Sequence, residues 1–204
     1  MTITPFWKTI IDKYESDHHL FMTERAVEIV AELMALSART APKGRGQDSI
    51  ETVILSGDSL QELAGEMRKM GQERGLKFFL RDAANMEKSD ACLIIGCKGE
   101  SVGLDCGGCG HPTCQEMRKA QMDFLDQQPE KLFHGPCCAI KLTDLGIALG
   151  WSAAKTASLH NVDNRIMFSA GAAALSKKLL PGSMVAYALP LKASGKSIYF
   201  DRTG

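Results

Sequence analysis

Aromatic side chains are scarce in this 204-residue chain, at 6 %, and a surface that stacks nucleic-acid bases depends on them. Net charge is missing too. The 24 Lys and Arg balance 24 Asp and Glu, so no electrostatic footprint for nucleic acid or an acidic membrane surface is present. No stretch approaches the roughly eighteen uninterrupted apolar residues of a membrane span. The opening Met1-Thr2-Ile3-Thr4-Pro5-Phe6-Trp7-Lys8 runs into Asp12, Lys13, Glu15 and Asp17 before any sustained apolar run, unlike a secretory leader. Internal repeats and low-complexity linkers are absent as well. These absences predict a cytoplasmic protein with no nucleic-acid partner and no membrane span, built as a single α/β domain over 1–204. At this length roughly 70 % of the unfolded chain's surface can be buried, so no disulfide staple is required.

What the chain has is cysteine, seven in all. In a cytoplasmic chain these read as metal ligands or redox groups before they read as disulfides. Cys106, Cys109 and Cys114 fall within nine positions, with Gly103, Gly107, Gly108 and Gly110 around them, and Cys137-Cys138 follows. Glycine in a packed core loses entropy and fills no space. Around an inorganic body it lets the chain fold tightly, with backbone N–H groups turned toward the sulfurs.

The spacing Cys-x2-Cys-x4-Cys discriminates among metal sites. A zinc knuckle needs His next, but position 114 is Cys, and position 119 is Lys119 where the last ligand would stand. Zinc ribbons need a second Cys-x2-Cys, whereas Cys137 and Cys138 are adjacent. A thioredoxin-type pair has no third cysteine so close. Plant-type two-iron ferredoxins use the reverse order of spacings, so nuclearity stays open on spacing alone. The pattern ranks an iron–sulfur cluster ahead of zinc, and zinc ahead of structural or redox thiols.

Elements can be placed around this segment. A helix is signalled from Thr23, as its cap, to about Arg39, with Val27, Val30 and Met34 as an apolar stripe that Ile29, Leu33 and Leu36 widen; most of it should be buried. The loop Ala41-Pro42-Lys43-Gly44-Arg45-Gly46 ends it. Its basic residues, with Arg39, read either as an anion site or, more simply, as a solvent-facing turn. Ile50–Leu55 is a strand, and Ser59-Leu60-Gln61-Glu62 has the capping-box form opening a helix to about Glu73 that Gly75 ends. Lys77–Leu80 reads as a short strand. Ala91–Gly96, apolar without alternation, reads as a central strand. Period 2 puts Cys92 and Cys97 on opposite faces, with Cys92 in the core and Cys97 a reserve ligand. A helix is expected over Gln115–Gln127, a long apolar one over Ile140–Ala157, and an Ala-rich one capped by Asn161 or Asp163. Met184–Leu189 is the last strand. Strands interrupted by helices predict a three-layer α/β (α+β) sandwich, with 98–138 as an iron–sulfur insertion.

The segment Asp105-Cys106-Gly107-Gly108-Cys109-Gly110-His111-Pro112-Thr113-Cys114 resembles the Cys-Gly-x-Cys-Gly-x-Pro-x-Cys stretch of the small four-iron ferredoxin-like domain. That domain occurs in corrinoid iron–sulfur proteins and in one family of electron-transport complex components. Its fourth cysteine follows a helix and precedes proline, whereas here Pro136 precedes the cysteines. The whole chain also resembles a prokaryotic family described as containing a ferredoxin domain, through Asp144–Ala148, Val162–Met167 and the tail Pro190–Arg202. The resemblance implies one 4Fe-4S cluster held by Cys106, Cys109, Cys114 and a fourth thiolate. Cys138 is chosen for that place because it stands next to a helix start that favours a thiolate, with Cys137 as its substitute.

Two functions from different classes follow. The first is single-electron transfer by the cluster to a redox partner protein, since four thiolates leave no iron open to substrate. The second is an oxidoreductase with FMN beside the cluster: the order of elements is similar to FMN-dependent nitroreductases, although the Arg-rich opening that holds the flavin phosphate there is lacking and Arg25 and Arg39 are poor substitutes. A purely structural cluster or zinc is a third reading. His111 and His134 flank the cysteines and could tune a cluster, while His18-His19 reads as a solvated helix end. Asn164-Arg165 reads more simply as a helical, buried arginine satisfying backbone or a carboxylate than as a substrate clamp. Tyr199-Phe200 would dock on a second subunit of a homodimer.

Overall fold

The computed structural model describes residues 5–127 and 131–200, and over 5–22 and at 152 its backbone alone. Its centre is β2, Ala91–Cys97, seven residues buried along their whole length. They are buried because β2 is covered on both faces and both edges. On its edges β1 (Ile50–Ser56) and β4 (Val185–Lys192) pair with it antiparallel, placing Ile94 between Val53 and Ala188. The two-residue β3 (Asp163–Asn164) closes the sheet beyond β4, in the order β1-β2-β4-β3.

Alternate residues of β2 feed two cores. Leu93, Ile95 and Cys97 join a core with α1 (Pro5–Thr40) and the helical stretch after the cysteines. Cys92 and Ile94 join another with α2 (Asp58–Glu73), α3 (Lys77–Met86) and α7 (Phe168–Ser176). The period-2 alternation of a strand therefore sends the two cysteines to opposite faces, as expected, and Cys92 is core. Helices on both faces of an antiparallel sheet make the three layers of a mixed α+β sandwich. Among the described residues no helix is long and apolar enough to cross a membrane.

Four elements differ from expectation. α1 is one helix from Pro5, with Thr23 in its interior, and His18-His19 lies among its residues whose side chains are not described. Val27, Val30, Ala31, Met34 and Ala38 face the sheet, whereas Ile29, Leu33 and Leu36 are 49 %, 37 % and 59 % exposed. A helix apolar over so wide an arc can lay only one side on a flat sheet. Lys77–Leu80 opens the helix α3, because Phe79, Ala83 and Met86 continue at helical spacing into its buried face. α2 begins with Gly57 as its N-cap, and the Ser59 hydroxyl is used in the preceding turn, donating to Ser56 O. Asp163 and Asn164 form β3, so α7 starts later, with Met167 at its cap.

Small residues set the closest approaches. A Cβ on Gly171 of α7 would sit 1.9 Å from Ala186 O of β4. Only glycine allows that helix to lie on the sheet so closely.

Candidate metal centre

Between β2 and the next core helix, residues 98–113 carry neither helix nor strand; α4 (Cys114–Asp126) follows. α5 (Ala139–Gly146) then leads through a π-helical stretch (Ile147–Ala154) into α6 (Lys155–Leu159). The turns of the cysteine loop rest on left-handed backbone: Gly103, Gly107 and Gly110 have φ of 72°, 70° and 87°, and Asp105 adopts 46°. Glycine enters that region without steric cost, and Asp tolerates it better than most residues.

Asp105 is held there by a reciprocal clasp. Its carboxylate accepts the Cys114 N–H at 2.6 Å, and its own N–H donates to Cys114 Sγ at 3.4 Å. Thr113 caps α4, its hydroxyl accepting the Glu116 N–H at 3.2 Å. Cys114 is thus the first residue of α4. Cys138 is the N-cap of α5, and its N–H donates to Gly99 O at 3.0 Å. Two cysteines therefore stand at helix N-termini, where unsatisfied N–H groups and the helix dipole favour a thiolate.

The fold brings Cys106, Cys109, Cys114 and Cys138 together. All four line one small pocket, with Val102, Met117 and Ala139 as its apolar wall and His111 at its side. Cys106 is exposed, Cys109 and Cys114 are half-buried and Cys138 is buried. Beneath them Val102, Met117 and Cys138 form a small core of their own. A Cβ on Gly108 would come within 3.6 Å of Cys106 Sγ and 3.5 Å of the Ala139 side chain. Four soft sulfur donors around one small pocket, on glycine turns that fold the backbone tightly about them, fit a thiolate-ligated iron–sulfur group. Among the described residues no three His, Cys, Asp or Glu side chains converge as a single metal ion requires.

The other three cysteines are elsewhere. Cys137 is not on the pocket wall; its thiol donates to His134 O at 3.3 Å, and burial, with smaller contributions from Cys97 and Cys138, pushes it up to about 11. Cys97 lies buried beside the Ser49 hydroxyl and the Lys141 carbonyl, and burial raises its thiol despite the Gly99 N–H aimed at it. It shares no wall with the four. Burial raises Cys92 furthest. A raised thiol is a poor ligand and a poor nucleophile.

Other sites read from the sequence resolve differently. Lys43 is neither an anion site nor a solvated cation: its ammonium caps the end of α1, donating to the carbonyls of Ala38, Arg39 and Ala41. Arg39 pairs with Asp48. Arg45 donates to Val102 O and Gly103 O at 2.9 and 3.3 Å, which no local signal announced because the contact spans 57 residues of chain. His134 packs edge-on to Phe124 and does not line the pocket. Arg165 donates to Tyr199 O, the backbone-satisfying role expected of it, although it is half-buried and lies before α7 rather than on a helix. Tyr199 is buried in its own chain, its hydroxyl paired with Ser89, so it is no docking residue; Phe200 is exposed.

Known proteins add three findings. Residues 134–202 match the family model described as "Uncharacterized protein containing a ferredoxin domain (DUF2148)". A protein of Archaeoglobus fulgidus is 45 % identical over 177 residues, covering 86 % of this chain and 91 % of that one. The chain belongs to this ferredoxin-domain family. The stretch matched by the family model carries Cys137 and Cys138 and leaves the 106–114 cysteines of this family member upstream. In fold, the chain is similar to the nitroreductase CinD from Lactococcus lactis, solved in complex with nicotinic acid. The TM-score is 0.53 at 12 % identity, over 85 % of this chain and 84 % of that one. The nitroreductase-like architecture expected from element order is therefore present.

Proposed function

We propose that the protein binds one 4Fe-4S cluster through Cys106, Cys109, Cys114 and Cys138 and passes single electrons to or from a partner protein. One observation carries this reading: the four cysteines named by spacing and by a helix start line the same small pocket, while Cys92, Cys97 and Cys137 do not. The ferredoxin-domain family supports it. Tetrahedral zinc, with Zn–S distances of about 2.3 Å, would draw its thiolates to within about 4 Å of one another. The four cysteines line one pocket, yet among the described residues no three of them converge as a single ion requires, which favours a larger inorganic body.

A bound cluster would supply one-electron redox chemistry. The chain's residues do the rest. Cys106 holds the solvent-facing side, where a partner would approach. Cys138, Val102 and Met117 shut water out from beneath. The Asp105 N–H directed at Cys114 Sγ withdraws electron density from that sulfur and favours the reduced state.

The nitroreductase-like fold favours a second reading, an FMN enzyme with the cluster as its electron inlet. Flavin analysis of the same sample separates the two.

The test of the ligand set is two pairs of variants purified anaerobically. Cys109→Ser should lose the visible chromophore and its iron, whereas Cys92→Ser should keep both. Cys137→Ser should also keep them and Cys138→Ser should not. Equal iron in Cys109→Ser and Cys92→Ser would overturn the assignment.

A further inference from the structure

The loop 42–47 runs from α1 toward β1 and touches both halves of the cysteine set. From α5, the Asp144 carboxylate accepts the Gly44 N–H at 2.9 Å, and the buried Lys141 ammonium donates to Gln47 O. A Cβ on Gly44 would be 2.4 Å from Ile140 Cγ2, so the loop is wedged tightly against the helix that Cys138 caps. With Lys43 and Arg39 already satisfied, Arg45 reaches the other half. Its guanidinium donates to Val102 O and Gly103 O, on the backbone just before Cys106, and Val102 lines the cysteine pocket. Among the described residues no carboxylate forms an ion pair with Arg45, and the Asp105 carboxylate on the same pocket is engaged by the Cys114 N–H.

We propose that Arg45 is the positioning residue that sets the reduction potential of this centre, an inference that rests on the cluster reading above. Two effects act in the same direction. Reduction adds one electron, and a neighbouring cation stabilises the more negative state over the less negative one. The guanidinium also holds the Val102 and Gly103 carbonyls, and so fixes the turn from which the Asp105 N–H is aimed at Cys114 Sγ. Losing Arg45 removes a positive charge and loosens an N–H···S bond, and both changes favour the oxidised form.

The test compares full-length wild type, Arg45→Gln and Arg45→Lys after anaerobic reconstitution with iron and sulfide, by metal analysis and by optical or EPR redox titration. Iron content should be equal in all three. Arg45→Gln should lower the ratio of reduced to oxidised centre about threefold at a fixed potential, about 30 mV for a one-electron couple. Arg45→Lys, which keeps the charge, should recover more than half of that. The shift should shrink in high salt, because Arg45 is exposed. A fully loaded Arg45→Gln with the wild-type potential overturns the proposal. So does a lysine variant no better than glutamine, or an Arg45→Gln that loses its iron. A wild-type chain that takes up no iron removes the cluster reading itself, and metal analysis detects that before any titration.

Discussion

The sheet sandwich and the cysteine segment are held together by different means. β2 is buried along all seven residues and feeds apolar side chains into a core on each face. The segment 98–126 has Val102 and Met117, with Cys138, as its own small core. Its remaining order comes largely from polar contacts and turns: left-handed backbone, one helix cap, the Asp105–Cys114 clasp, Arg45, the Gln121 amide donating to Gly99 O and Pro136 O, and the Cys138 N–H on Gly99 O. At about 25 cal/mol per Å² of buried apolar surface, three side chains contribute little against the entropy of ordering such a length of chain. The sandwich has a core of its own on each face, and on the proposed cluster reading the segment would gain its rigidity from the group its thiolates hold.

The comparison can be broken first from the sandwich side. Gly171→Ala forces a methyl group onto the Ala186 carbonyl. It should cost about 3 kcal/mol or more of global stability, read by chemical denaturation. Less than about 1 kcal/mol would mean that α7 and β4 are not so tightly apposed. The next effect is local. Stripping iron with a chelator should speed amide hydrogen exchange in 98–126 tenfold or more, about 1.4 kcal/mol of local stability. The amides of β2 and β4 should be unchanged. Uniform deprotection of both would show that the two regions are one cooperative unit.

The smallest effect concerns a surface pair remote from the cysteines. Arg68 holds Glu87 with two bonds of 2.6 Å, which lowers the carboxyl below its ordinary range against a smaller opposing effect of burial. A depressed carboxyl stabilises the fold above its unfolded pKa and loses that contribution as pH falls through its folded value. The pair is partly exposed, so Arg68→Ala should cost about 0.5 kcal/mol at neutral pH. The difference from wild type should vanish in acid, and a constant difference in thermal unfolding across that range would contradict the ion-pair account.

Much of this division is legible in the residues themselves. The unbroken apolar run of β2 announces a central strand, and Cys92 and Cys97 part to opposite faces because side chains alternate along it. The cysteine and glycine pattern of 103–114 names a ligand loop, and the pocket gathers its three cysteines with Cys138. Where local patterns mislead, a tertiary surface decides. Lys77-Phe78-Phe79-Leu80 has strand-like residues, yet Phe79, Ala83 and Met86 turn toward α2 and α7 at helical spacing. Ile29, Leu33 and Leu36 match their buried neighbours on α1 in character, and only the flatness of the sheet leaves them outside. Arg45 is illegible for a different reason: a side chain with backbone partners 57 residues away leaves no periodic trace.

The most direct test of the central claim is iron, acid-labile sulfide, zinc and flavin analysis on one anaerobically purified sample. The account predicts four irons and four sulfides per chain, without stoichiometric zinc. One zinc per chain in place of iron, or a metal-free chain that refuses reconstitution, would contradict it.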